Sequence, residues 1–258
     1  MNKRYFAAAL AALLCFGAQA QGALERITKA RTIKIAVPTD YPPYGFVDNS
    51  MQAQGYDIEM AQLIATKLGV KLEMVPVSSA NRIPYLQTRK VDLVVSTLGK
   101  NAEREKVIDF TAAYAPFFQG IFGPKMMSIK SFADLGGKTV GVTRGAMEDQ
   151  ELGKVAPPST EVKRFEDNNA TVAAFISGQI QVLAMSGAVA AEMIRKNPQL
   201  GAEYKITIKD SPCFVGIAKG EEALKARINA IIADAKKAGT LDAMSKKWLG
   251  KPAGELPL

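Results

Sequence analysis

The stretch DLVVSTLGKNAEREKVIDFT, residues 92–111, contains the pattern from which both the fold and a candidate site can be predicted. Residues 91–96 are mostly apolar and β-branched, which predicts a buried strand, and small polar residues follow directly. A turn containing Gly99 can direct backbone N–H groups at one point, and Arg104 can close over that point with a planar pair of donors that suits a carboxylate. The stretch therefore predicts a carboxylate-binding turn at a strand end. The alternative is that Arg104 is an ordinary surface residue in a charged run.

Strands and helices alternate outward from this stretch, which indicates an α/β fold with mostly parallel strands. In the first half we predict strands at 33–37, 70–75 and 91–96, and helices at 57–68 and 83–88. The turns at 40–44 and 97–104 both follow strands. Because ligands of open α/β sheets bind at the carboxyl ends of the strands, both turns are expected at the site.

A second α/β series begins after an apolar extended run at 117–123. We predict strands at 138–143, 162–165 and 181–185, and helices at 147–154, 170–177 and 188–196. The chain then returns near 211–215, and two final helices, 221–238 and 241–248, are expected to pack on the first lobe. The predicted division is residues 21–115 and 214–258 for lobe 1 and 116–213 for lobe 2. Two adjacent crossings make a hinge possible.

Residues 1–20 have the form of a secretory signal peptide: two basic residues, an apolar run and the ending AQA. The run is too short for a permanent bilayer span, which needs about 20 residues. Cleavage is expected to leave Gln21 as the mature N-terminus of a periplasmic protein. Cys15 lacks the small residues that a lipoprotein cleavage site requires before it, so we expect no lipid anchor.

The charge pattern argues against a nucleic-acid partner. The formal net charge is +8 and falls to +6 when the two basic residues of the signal peptide are removed. The remaining Lys and Arg side chains alternate with acids and form no basic run interleaved with aromatic residues. We expect a solvated surface and a monomer.

The chain contains no histidine and two cysteines. This removes the commonest general base and the commonest metal ligand, so we expect no metal and no cofactor. It also predicts a ligand affinity that is nearly flat from about pH 6 to 8. Cys213 is the single cysteine after the signal peptide, cannot form an internal disulfide, and is predicted to be buried and inert.

Several motifs resemble, in order, those of the bacterial extracellular solute-binding proteins of family 3, the amino-acid receptors of ABC importers. They are DYPPY (40–44), GYDIEMAQLIATKLG (55–69), IPYLQTRKVDLVVST (83–97), ER (103–104), VIDFTAAY (107–114), DLGGKTVGV (134–142) and KKWLG (246–250). The resemblance implies a two-lobed periplasmic binding protein fold with two crossing linkers. It also implies capture of an amino acid or related small carboxylate by hinge closure, and delivery to an ABC-type membrane permease.

The resemblance further implies which first-lobe residues bind the ligand. Arg104 would clamp the α-carboxylate, assisted by the hydroxyl of Thr97 and the backbone of Gly99. Tyr41 would lie against the ligand side chain, and Tyr44 is a second aromatic candidate. Alternatively, the two tyrosines only pack within the turn that they share.

The second lobe departs from the pattern of the family. Ala146 and Met147 stand where hydroxyl residues are frequent, which makes the pocket less polar. Ser186 stands where an aspartate usually pairs with the ligand ammonium group, and a hydroxyl cannot offset the desolvation of that charge.

The missing aspartate leaves two alternatives open. Another acid, with Asp40, Glu148 and Asp149 as candidates, takes its role, or the ligand is not an ordinary α-amino acid. The second alternative predicts weak binding of the common amino acids, and a shift toward them in a Ser186→Asp variant.

An enzyme on the same scaffold is the alternative function. Some periplasmic dehydratases that act on prephenate-like cyclic acids resemble this family, and such chemistry needs an acid in the cleft. Glu148 is the nearest candidate. It could instead be an exposed residue at a helix start, where negative charge is favourable.

Overall fold

The computed structural model of the protein describes residues 22–257. The strands are β1 (Thr32–Val37), β2 (Asp40–Tyr41), β3 (Gly45–Val47), β4 (Ala53–Gln54), β5 (Lys71–Pro76), β6 (Leu93–Leu98), β7 (Ile108–Ala115), β8 (Phe118–Pro124), β9 (Thr139–Thr143), β10 (Glu161–Phe165), β11 (Val182–Ser186), β12 (Ala202–Asp210) and β13 (Cys213–Ala218). The helices are α1 (Ala23–Ala30), α2 (Tyr56–Leu68), α3 (Arg82–Gln87), α4 (Ala102–Glu105), α5 (Met147–Val155), α6 (Asn168–Ile176), α7 (Gly187–Lys196), α8 (Glu222–Lys237) and α9 (Thr240–Leu249).

The strands form two five-stranded mixed sheets, one in each lobe. The first has the order β5-β1-β6-β13-β7, with β5, β1 and β6 parallel and β13 antiparallel to both of its neighbours. The second has the order β10-β9-β11-β8-β12, with β10, β9 and β11 parallel and β8 antiparallel to both of its neighbours. The predicted α/β fold with two lobes is confirmed. Helices α1 and α4, strands β7 and β12 and the small antiparallel sheet β2-β3-β4 were not predicted.

Helix α2 shows why the predicted elements form. Its apolar residues recur at helical spacing, so Ile58, Ala61 and Ile64 are buried together against the first sheet. The helix ends at Gly69, whose φ of 68° places it in the left-handed region, and its N–H donates to carbonyl groups of the last turn. Strand β6 beside it is buried along its whole length. Sheet and helix together place the end of β6 at one edge of the lobe.

The chain crosses between the lobes twice, at adjacent positions. Strand β7 ends at Ala115 and β8 begins at Phe118, while β12 ends at Asp210 and β13 begins at Cys213. The two crossings touch, because the Ser211 N–H donates to the Phe117 carbonyl oxygen at 3.3 Å. Cys213 is buried, as predicted. The exact lobe boundaries stay a prediction.

The predicted signal peptide, with Cys15 and the expected mature terminus Gln21, lies outside the described residues. Among residues 22–257, the structure has no helix whose length and apolar content would carry it across a bilayer.

Candidate functional site

A small cavity lies between the lobes and is lined by residues from both of them. These residues are Pro38, Asp40, Tyr41, Val77, Ser79, Arg82, Ser96, Thr97, Phe117, Gln119, Ala146, Met147, Glu148 and Asn168. About 10 Å³ of this cavity is free for other atoms, which is room for about one water molecule. The two lobes therefore meet closely around this cavity, and a molecule larger than water would enter it only when the lobes part.

Arg82, at the start of α3, is the cationic side chain of the first lobe that lines this cavity. It is 4% exposed, and its guanidinium donates to the carbonyl oxygens of Ser96 at 2.8 Å and Ser79 at 3.2 Å. Burial lowers the pKa of Arg82, and the negative charge of Glu148 opposes that shift. Arg82 thus fixes the end of β6 and brings a positive charge to the cavity.

Thr97 has a φ of 43°, which is unusual for a β-branched residue and marks local strain. The buried carboxyl of Asp57 accepts the Thr97 N–H at 2.7 Å and the Tyr114 hydroxyl at 2.6 Å. Burial raises the pKa of Asp57 to about 7, although these two hydrogen bonds lower it. Asp57 therefore holds the strained Thr97 backbone and connects it to β7, close to the first crossing.

Arg104 lies beside the main cavity, in an adjoining pocket of about 80 Å³ that Arg82 also lines. It is 2% exposed and donates to the carbonyl oxygens of Gly99 at 2.9 Å and Gly145 at 3.1 Å. Burial lowers its pKa, and the charge of Arg82 adds to that effect. Within the described chain its Nε has no hydrogen-bond partner. Arg104 is thus a buried cation, not a surface residue, and it bridges the two lobes.

Two glycines allow the lobes to approach this closely. A Cβ on Gly99 would lie 2.7 Å from the terminal methyl group of Met147 in the other lobe. Gly145 has a φ of 72°, and a Cβ there would lie 2.8 Å from the Cα of Ala80. A side chain at Gly145 would hold the cleft further open, because it would meet the backbone of Ala80, whereas the flexible Met147 side chain could move away from one at Gly99.

Glu148, in the first turn of α5, is the buried acid of the second lobe. It is 2% exposed, and burial raises its pKa to about 7, although its own backbone N–H and the charges of Arg82 and Arg104 lower it. Its Oε1 atom has no partner within residues 22–257. The prediction of an exposed residue at a helix start is wrong, because Glu148 lines the cavity.

Gln119, on β8, lines the cavity with a side chain that is 0% exposed. Neither its amide oxygen nor its amide nitrogen is paired in the described part of the chain. Buried polar groups are normally hydrogen-bonded, so a buried amide without partners beside a cavity points to a bound polar molecule. Gln119 and Glu148 together form a polar second-lobe wall.

The other two acid candidates are already engaged. Asp40 accepts the backbone N–H of Asn168 at 2.8 Å and its side-chain amide at 3.0 Å, across the cleft at the start of α6. Asp149 accepts the Gly145 N–H at 3.0 Å and the Arg164 Nε–H at 2.7 Å. Asp40 therefore joins the lobes, and Asp149 anchors the turn before α5.

The structure brings together five of the nine predicted site residues at the main cavity. They are Asp40, Tyr41, Thr97, Ala146 and Met147. Arg104 lines the adjoining pocket, and Gly99 packs against Met147. Tyr44 lines a separate groove at the crossings, and its hydroxyl donates to the Pro116 carbonyl at 3.2 Å.

Ser186 does not line the cavity. Its hydroxyl accepts the Val189 N–H at 3.3 Å and caps α7, and its own N–H donates to the Tyr41 hydroxyl at 3.4 Å. Its place in the site stays a prediction.

Sequence reasoning missed Arg82, Gln119 and Asn168. For two of them, the sequence contains a pattern that could have indicated a place in the site. Gln119 is a polar residue inside the apolar run 117–123, and Arg82 directly precedes the predicted helix 83–88. Asn168 gave none, because its contact with Asp40 joins residues that are 128 positions apart.

The fold and the site define a two-lobed solute receptor. The family model for bacterial extracellular solute-binding proteins, family 3, matches residues 33–251, and the chain belongs to this family.

The relatives are binding proteins with different amino acids in their names. The L-cystine-binding protein TcyJ of Escherichia coli (strain K12) is 26% identical and covers 89% of this chain and 87% of its own. The ABC transporter glutamine-binding protein GlnH of Bacillus subtilis (strain 168) is 31% identical and covers 86% and 83%. The crystal structure of the ancestral amino acid-binding protein AncCDT-1, a precursor of cyclohexadienyl dehydratase, has a TM-score of 0.79, 31% identity, and coverage of 88% and 99%. This chain is accordingly an amino-acid-binding component of an ABC transporter.

Proposed function

We propose that this protein captures an α-amino acid between its lobes in the periplasm and presents the closed form to an ABC-type membrane permease. One observation carries the proposal. The same cleft contains two buried guanidinium groups from the first lobe, Arg82 and Arg104, and a buried carboxyl from the second lobe, Glu148. Opposite charges on the two lobes match the two ends of a zwitterion. The guanidinium groups suit its carboxylate, and the Glu148 carboxylate suits its ammonium group.

Closure would occur about the two crossings, with residues 22–115 and 214–257 moving against residues 116–213. The crossings are short and touch each other, which suits a hinge. The contacts of Asp40 with Asn168 and of Arg104 with Gly145 join the lobes at the cleft edge. Ligand and lobe contacts together would determine how much of the protein is closed.

A thermal-shift panel of the common L-amino acids and L-cystine tests the proposal. We expect at least one of them to raise the melting temperature by about 5 °C or more at roughly 100 times its Kd. Calorimetry then gives the affinity, and small-angle scattering with and without that amino acid should show a smaller radius of gyration when it is present.

Control compounds show whether the shift is specific to amino acids. Glucose, AMP and citrate should give no shift, and incubation with prephenate should give no product. A panel in which no L-amino acid binds would refute the proposal. Cell fractionation with intact-mass measurement checks the compartment and the expected mature terminus at Gln21.

A further inference from the structure

The second lobe must provide a counter-charge if an α-amino acid is to be buried with its ammonium group, a condition that rests on the proposed function. An unpaired ammonium in a closed cleft would lose its hydration without compensation, which costs several kcal/mol. Ser186, at the position where the family resemblance implies an aspartate, offers a hydroxyl that is already used to cap α7.

The hydrogen bonds decide among the three acids near the cleft. Both oxygens of Asp40 accept hydrogen bonds from Asn168, and Asp149 is held by Gly145 and Arg164. Glu148 alone of the three is 2% exposed, lines the cavity and keeps an oxygen without a partner in the described chain.

We infer that Glu148 is the residue that pairs with the ligand ammonium group, so the recognition acid of this receptor lies on the first turn of α5 and not at the start of α7. Gln119 supplies the second acceptor. Its amide is buried in the same wall and has no partner within the described residues. An ammonium group has three N–H donors, and the carboxylate and amide oxygens of this wall can accept two of them.

The groups around Glu148 give this pair a protonation dependence. Arg82 on α3 and Arg104 on α4 favour the ionised carboxyl, Asp149 on the same helix disfavours it, and the Tyr41 hydroxyl on β2 also lies within its electrostatic reach. Burial dominates and raises the pKa of Glu148 to about 7. Because the ionised form is the one that pairs with an ammonium group, affinity for an amino acid should fall by about tenfold from pH 8 to pH 6. This replaces the flat profile that the absence of histidine predicted.

The test uses the full mature protein and the Glu148→Gln variant, which keeps the shape of the side chain and removes its charge. The probes are the common L-amino acids at pH 8, and desamino partners for four of them: propionate for L-alanine, glutaramate for L-glutamine, mercaptopropionate for L-cysteine and guanidinovalerate for L-arginine. We expect the variant to bind the best amino acid at least about 30-fold more weakly, and the desamino acids as well as or better than the wild type. The pH dependence of amino-acid affinity should disappear in the variant.

A matched control is Glu166→Gln, which makes the same change at an exposed second-lobe acid paired with Arg144. Its affinities should equal those of the wild type. Melting curves check that Glu148→Gln is folded, and Glu148→Asp, which restores the charge with a shorter reach, should recover part of the affinity and the pH slope.

The outcomes distinguish a failure of the role inferred for Glu148 from a failure of the proposed function. Unchanged amino-acid affinity in Glu148→Gln, or a retained pH slope, would overturn the role of Glu148 and leave the proposed function standing. Equal losses for amino acids and desamino acids would also overturn it, because they would indicate a general disturbance of the site. If no L-amino acid binds the wild type, both the proposed function and this inference fail.

Discussion

The two walls of the cleft handle their buried polar groups differently. On the first-lobe wall, Arg82 and Thr97 are fixed by hydrogen bonds within the same lobe, to Ser96 and Asp57. On the second-lobe wall, Glu148 and the amide of Gln119 keep atoms that lack partners in residues 22–257. At the main cavity the first wall is therefore preorganised by its own network, while the second wall keeps hydrogen-bonding capacity for a ligand. The exception on the first lobe is the Nε of Arg104, in the adjoining pocket, which has no partner in the described residues.

This difference shows where ligand preference is expected to reside. A wall whose groups already stabilise one another cannot be altered without a cost in folding. A wall with free acceptors can change its ligand through one or two substitutions. Substitutions and pH changes can test this contrast, beginning with the largest expected effect.

Arg104→Ala should weaken amino-acid binding by about 3 to 5 kcal/mol, because one charge of a desolvated pair is lost together with the bond to Gly145. Calorimetry measures the change. Arg195→Ala, at an exposed arginine of α7 paired with Glu192, is the matched control and should leave affinity unchanged. Unchanged affinity in Arg104→Ala would show that this residue does not bind the ligand, and the contrast between the two walls of the cleft would then not hold.

The ligand-free protein should become more stable as the pH falls from about 8 to 5. Burial raises the pKa of both Asp57 and Glu148 to about 7, so the folded state retains protons that the unfolded chain has lost above about pH 4. The free energy of unfolding should therefore fall as the pH rises through this window, by about 2 kcal/mol for each carboxyl.

Urea unfolding at several pH values measures this dependence, and Asp57→Asn should reduce its slope. A free energy of unfolding that rises with pH would show that both carboxyls are ionised more easily than their burial implies.

Asp40 and Asn168 should be coupled in ligand binding, because their hydrogen bonds exist across the cleft. Asp40→Ala and Asn168→Ala should each lower affinity, and the double variant should lose less than the sum, with a coupling of about 1 kcal/mol. Asp48→Ala removes an acid that accepts only within its own loop and strand, and is the control. Strict additivity would mean that this contact does not contribute to closure.

Ser186→Asp should have the smallest effect, below about 0.5 kcal/mol on amino-acid affinity, because an aspartate can cap α7 as the serine does. This revises the larger shift expected from the family resemblance. Calorimetry with the best amino acid on both forms measures it. A gain of several kcal/mol would show that this position reaches the ligand after all, and would move the recognition acid back to α7.

Much of the fold could be predicted because its signals are local. The apolar run before Thr97, the helical spacing of Ile58, Ala61 and Ile64, and the stop at Gly69 each specify an element within a few residues. Helix α1 and strand β12 were not predicted because charged residues lie among the apolar residues in both segments. The small sheet was not predicted because its strands are two or three residues long, too short to show an alternating pattern.

The site was harder to predict because its properties arise across the cleft. Arg104 was recognised from the motif, but its contact with Gly145 depends on how the lobes meet. The burial of Glu148 has the same origin, since a residue in the first turn of an isolated helix would be exposed. The strain at Thr97 depends on Asp57, forty residues earlier in the chain.

The carbonyl oxygen of Gly145 accepts Arg104 at 3.1 Å and lies 3.5 Å from Arg82. A main-chain oxygen is present whatever side chains surround it, so this junction between the lobes is independent of the residues that follow it. Side-chain changes at Ala146 and Glu148 therefore leave this acceptor in place. Ligand preference can thus change at these positions without loss of the main-chain contact that joins the two lobes.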